Sequence, residues 1–135
     1  MKHLKKKYIN GDHMACGQYS IAMATGKKFG EIINAVGHVD SMSVNGIKAT
    51  LSKLGYEAVP AKERSGGGIV IIESEDRELG HAMAWEGDSI YDPDDFPYED
   101  FAHMERKLDD IAWEVTHLWR VVPVKTREWA VGSAK

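Results

Sequence analysis

Apolar positions recur along this chain first with the period of a helix and later with the period of a strand. From about Met14 or Ala15 to Thr25 the sequence is small and apolar. Asp12 stands ahead of it as an N-cap, and Gly26 with Lys27 and Lys28 supplies the C-terminal stop. Phe29, Ile32, Ile33 and Val36 fall at i, i+3, i+4 and i+7 and predict a second, short helix ended by Gly37. Ser43 is an N-cap for a third, which carries Val44, Ile47, Leu51 and Leu54 on one face and stops at Gly55.

The period then changes to two. "YEAVP" (56–60) and "IVIIE" (69–73) read as strands separated by a charged loop and "SGGG" (65–68). Those glycines are either an ordinary flexible loop or a place where a substrate backbone comes close. "HAMAW" (81–85) and "SIYD" (89–92) flank Gly87-Asp88, a hairpin turn. Pro97 can open a further helix with Phe101, Met104, Leu108, Ile111 and Val115 as its inner stripe. "LWRVVPV" (118–124) closes as the last strand, and the tail 125–135 is expected to be loose. Helices first and a mostly antiparallel sheet afterwards indicate an α+β fold.

Composition narrows the function. A chain of 135 residues reads as one domain, with a core over about 9–124. The longest strongly apolar run is "IVII" (69–72), and no apolar stretch of secretory length follows "MKHLKKKYING". A cytoplasmic protein with no membrane partner is therefore expected. A net charge of −4 argues against a nucleic-acid partner, and "KHLKKK" (2–7) reads as a solvated terminal segment. Trp85, Trp119 and Tyr19 are expected in the core, Trp113 and Trp129 partly exposed. A single cysteine excludes an internal disulfide and a thiolate-rich zinc site. His13, His38 with Asp40, His103 and His117 are scattered without the i, i+4 spacing of a helical ligand pair, so neither metal nor cofactor is expected.

That cysteine, Cys16, falls near the start of the first predicted helix. There the helix dipole and unsatisfied N–H groups favour a thiolate; the alternative is a buried small hydrophobe. A two-residue turn at Gly87-Asp88 pairs Glu86 with Ser89, which sets Met83 opposite Asp92 and His81 opposite Asp94. His81 and Asp92 then project from one face as diagonal neighbours, about 7–8 Å apart at the backbone. They are either an exposed pair on a wet face or an imidazole oriented by a carboxylate. In the second case they complete a cysteine–histidine–acid arrangement, with Asp94 as the reserve acid.

"CG" opening a helix that ends "MATG", then a downstream histidine starting a strand and "YDP" closing the hairpin, resembles the papain-like cysteine peptidases. The likeness is greatest to the peptidase domains that remove double-glycine leaders from bacteriocin precursors and to their standalone relatives. It covers about Ile9 to Val124. It implies a papain-like fold, Cys16 as nucleophile, His81 as general base and Asp92 as the acid that orients it. It also places Asn10, where glutamine is usual, as the oxyanion-hole side chain; otherwise Asn10-Gly11 is simply a turn. The chain has no membrane segment and no GxxxxGK[ST] phosphate loop, so a standalone hydrolase acting on a peptide or protein is expected. A non-catalytic binding or inhibitory module is the alternative, as is an acyltransferase or deamidase using the same triad.

Overall fold

The computed structural model describes residues 1–8, 11–96 and 98–124. Three helices come first: α1 (Cys16–Thr25), α2 (Phe29–Val36) and α3 (Val44–Lys53). Strands β1 (Tyr56–Pro60), β2 (Gly67–Ser74), β3 (Gly80–Glu86) and β4 (Ser89–Tyr91) follow, then α4 (Phe101–Asp110) and β5 (Trp113–Pro123). The strands form one antiparallel sheet in the order β1-β5-β2-β3-β4. The fold is α+β, and no helix among the described residues is long and apolar enough to cross a membrane.

The glycine and serine punctuation acts as its chemistry suggests. Gly26 and Gly37 take left-handed φ of 74° and 92° at the C-caps of α1 and α2, and the Ser43 side chain accepts the Gly46 N–H at 2.9 Å. "IVII" is apolar at every position because β2 is buried on both faces. Ile69 and Ile71 pack with Ile21, Ile47 and Leu51 of the α1–α3 layer, whereas Val70 and Ile72 pack with Phe101, Met104 and Leu108 of α4. Trp85 and Trp119 are both buried, one in each layer.

Several expectations are corrected. Asp12 does not cap α1: it opens a short 3₁₀ turn (Asp12–Met14), the N-cap is Ala15, and the Asp12 carboxylate turns inward to accept the Tyr19 hydroxyl at 2.6 Å. The last helix ends at Asp110, capped at its start by Asp100. Ile111 is exposed, and Val115 belongs to β5, which starts five residues before the expected strand and ends one residue earlier. The helical spacing ran on into a strand, where the i+4 coincidence carries no meaning. Part of "SGGG" is strand. A Cβ at Gly68 would lie 1.9 Å from the Trp119 carbonyl oxygen, and across this bare position the Trp85 indole N–H reaches that same oxygen at 3.0 Å. The expected helix start at Pro97, Trp129 and the tail 125–135 lie outside the described residues.

"KHLKKK" is not a solvated tail. Residues 1–8 form a strap between α1 and the loop after β4. The Met1 ammonium pairs with Glu86 at 2.7 Å, Leu4 N–H meets Met23 Sδ at 3.2 Å, and Lys6 N–H donates to the Pro93 carbonyl at 2.8 Å. A run of like charge reads as solvated unless its counter-charges are known to be near. Here they are Asp94 and Asp95, nearly ninety positions away in sequence.

Candidate active site

The Gly87-Asp88 hairpin pairs Glu86 with Ser89, Trp85 with Ile90 and Ala84 with Tyr91, and there the ladder stops. The expected pairs of Met83 with Asp92 and His81 with Asp94 therefore do not form, because the chain leaves the ladder and turns through Asp92–Asp95, with the Asp95 N–H bonded to the Asp92 carbonyl at 2.9 Å. This short β4 leaves the first half of β3 with an open edge. His81 stands at that edge, its side chain 16 % exposed, with Nε2 2.7 Å from Oδ1 of Asp92, which is 2 % exposed. Asp92 Oδ1 also accepts the Asp94 N–H at 2.8 Å, so its orientation is fixed by its own turn.

Cys16 is the first residue of α1 and comes to the same part of β3, near enough to the His81 ring and the Ala82 N–H for both to act on its thiol. Asp92 holds Nε2, and among the described residues Nδ1 has no hydrogen-bond partner. Gly17 permits this approach: a Cβ there would sit 3.1 Å from Met42 Sδ, so a larger residue would push α1 away from the segment behind it. Burial pushes the Cys16 thiol up, but hydrogen bonding and charge from His81, the Ala82 N–H and the nearby Lys6 ammonium outweigh it and hold the thiol below its ordinary value. Burial likewise pushes His81 down, and Asp92 and Cys16 together raise it to about 10. Both directions favour a thiolate facing an imidazolium.

Three further residues belong to this site, and their roles were not foreseen from sequence. Lys6 is buried; its Nζ pairs with Asp94 at 3.0 Å and donates to the His13 carbonyl at 2.9 Å. It therefore ties the acid loop to the turn that leads into Cys16. Tyr8 donates its hydroxyl to Asp94 at 2.5 Å, and the ring nitrogen of His3 lies 2.6 Å from the Asp92 carbonyl oxygen. The carboxylate of Asp94 pushes the Tyr8 hydroxyl up to about 12. Tyr8 and Asp95 both hold left-handed φ, 57° and 59°, conformations that a non-glycine residue keeps only where its surroundings enforce them. Asp94, the reserve acid, has its Oδ2 3.7 Å from His81 Nε2, farther than Asp92, because Lys6 and Tyr8 hold it.

One donor atom each of His81, Asp92 and Asp94 lies within 4.8 Å of the others, a spacing that can surround a metal ion. These atoms already serve one another, Lys6 and Tyr8, which suits a histidine with its acid better than an open ligand set. Asn10, expected as an oxyanion donor, lies outside the described residues. Gln18, the amide nearest Cys16 in sequence, is committed elsewhere: its Nε2 donates to the carbonyls of His38 and Asp40 at 3.1 and 2.8 Å. The first helical bond of α1 is Tyr19 N–H to the Ala15 carbonyl, so the N–H groups of Cys16 and Gly17 remain for an anion.

Comparison of the chain with protein-family models, curated proteins and solved structures finds no match.

Proposed function

We propose that this protein is a small papain-like cysteine hydrolase that cleaves a peptide or related amide bond. The observation that carries this reading is His81, held by Asp92 at 2.7 Å through Nε2, with Cys16 at the start of α1 near enough for the imidazole to lower its thiol. The order of the parts along the chain supports the papain-like assignment: a nucleophile opening a helix, then a histidine starting a strand, then an acid after the hairpin.

The Cys16 thiolate attacks the amide carbon, and the carbonyl electron pair moves to oxygen. That oxyanion sits at the start of α1, where the N–H groups of Cys16 and Gly17 can bond it. The His81 imidazolium gives its proton to the amide nitrogen as the C–N bond breaks. An amine leaves, and the acyl group stays on sulfur as a thioester. His81, now neutral, takes a proton from water as the water oxygen attacks the thioester. The C–S bond then breaks, releasing a carboxylic acid and restoring the ion pair. Asp92 keeps the ring in place and stabilises its charged form throughout.

The test is the rate of Cys16 alkylation by iodoacetamide from about pH 4 to pH 10, in the wild type and in His81→Ala, followed by turnover of an internally quenched peptide library. The wild type reacts well below the ordinary thiol range near pH 8.5, and the variant does not. If Cys16 titrates as a free thiol whether or not His81 is present, the hydrolase reading fails and the fold is a binding module.

A further inference from the structure

A second site lies outside the triad. Between the N-terminal strap, the later turns of α1 and the start of α2 is a cavity of about 780 Å³, within the size range of small-molecule sites. Its walls include Ala22, Met23 and Gly26, roughly two to three helical turns along α1 from Cys16. The interior is apolar, made by Leu4, Ala22, Met23 and Val39, together with Tyr19 and Phe29, whose rings stack with centroids 4.0 Å apart.

The rim is cationic. Lys2, Lys7, Lys27 and Lys28 all line the cavity, and among the described residues none of them forms an ion pair. A fifth lysine, Lys5, is taken by Asp95 at 3.0 Å. The one acid in the wall, Asp12, is buried with its Oδ2 accepting the Lys7 N–H and the Tyr19 hydroxyl, and a single carboxylate leaves the rim with a net positive charge. The whole chain carries a net charge of −4, yet four uncompensated cations gather around one apolar hollow. Such a concentration against the overall sign draws an anion, and the lining demands that the anion carry an apolar body.

We propose that this cavity binds an anionic amphiphile, a carboxylate or phosphate on an apolar chain, with the head group among the lysines and the chain against Met23 and the Tyr19–Phe29 pair. The head-group contribution is exposed and therefore salt-sensitive over a screening length of about 8–10 Å, whereas the chain contribution is not. Nothing in this site uses Cys16 or His81, so it stands apart from the hydrolase reading.

The full chain is titrated calorimetrically with decanoate and with decyl phosphate below their micellar concentrations. Decanol serves as the neutral chain and inorganic phosphate as the bare head group. At low salt either anion should bind at least about tenfold more tightly than decanol or inorganic phosphate, and the tighter of the two identifies the head group. Lys27→Gln/Lys28→Gln, two changes at the rim, should weaken anion binding about four- to tenfold while leaving decanol binding and the Cys16 alkylation profile as they are. Val39→Trp, which fills the hollow, should abolish binding of both anions. The proposal is overturned if decanol binds as tightly as decanoate, if the double lysine variant binds like the wild type, if Val39→Trp still binds, or if neither anion binds.

Discussion

The two halves of β3 share one strand and have opposite fates. From Ala84 to Glu86 the strand is paired with β2 on one side and β4 on the other, and Trp85 is fully buried with its indole N–H given to the Trp119 carbonyl. Its backbone polar groups are committed to neighbours, and packing sets every choice. From His81 to Met83 the β4 partner is missing. The Ala82 N–H lies near enough to Cys16 to act on its thiol, and the His81 ring stays partly open to solvent. The contrast shows how a sheet makes room for chemistry: where a ladder ends early, a backbone donor and a side chain become available together. The start of a helix can then be brought to that edge without disturbing the packed half.

Breaking the open half should change reactivity and little else. His81→Ala has the largest expected effect. With the imidazole gone, only the Ala82 N–H and Lys6 remain against burial, so the thiol titration rises toward or above the ordinary range, and alkylation near pH 6 falls by about a hundredfold or more. Asp92→Asn keeps an acceptor for Nε2 but removes the charge that favours the imidazolium. It should lower alkylation near pH 6 by about tenfold and amide turnover by more, because the imidazolium spent in acylation must form again in deacylation.

Lys6→Met tests whether the strap belongs to the open half. It removes a buried cation near the thiolate and unties Asp94 from the His13 turn. Low-pH alkylation should fall about three- to fivefold, and Lys6→Arg should restore most of it. Equal profiles for Lys6→Met and the wild type would confine the strap to structure. Trp85→Phe, in the packed half, is expected to have the smallest effect on the thiol. It should destabilise the fold by about 1–2 kcal/mol in urea unfolding, through the lost indole bond and the carbonyl left without it, while Cys16 alkylation stays within about twofold. A large change in reactivity there would mean that the two halves are mechanically coupled.

The elements were largely legible in the order of residues because their signals are local. Helical spacing, Ser43, Gly26 and Gly37 mark α1 to α3, and the Gly87-Asp88 turn sets the register that pairs Glu86 with Ser89. Periodicity and the two-residue turn placed Asp92 near His81 along the chain, but the contact itself is made by the Asp92–Asp95 turn after the ladder has ended. The boundary of α4 failed for the same reason: Ile111 and Val115 continue a spacing that the backbone had already abandoned. The site was legible to the extent that its residues flank such local marks. Lys6, Tyr8 and His3 do not, since the groups they meet lie between 86 and 89 positions away.

By itself the sequence therefore determined the α+β class and most of the elements, which follow from contacts a few residues apart, and it pointed to His81 and Asp92 as neighbours. Only the tertiary structure decided the rest. It brought Cys16 to the open edge of β3, turned a lysine run into a strap over the acid loop, and set two lysines of that run with Lys27 and Lys28 around an apolar hollow. Charges and edges acquire partners only when distant segments meet, and no periodicity within one segment records which partners those are.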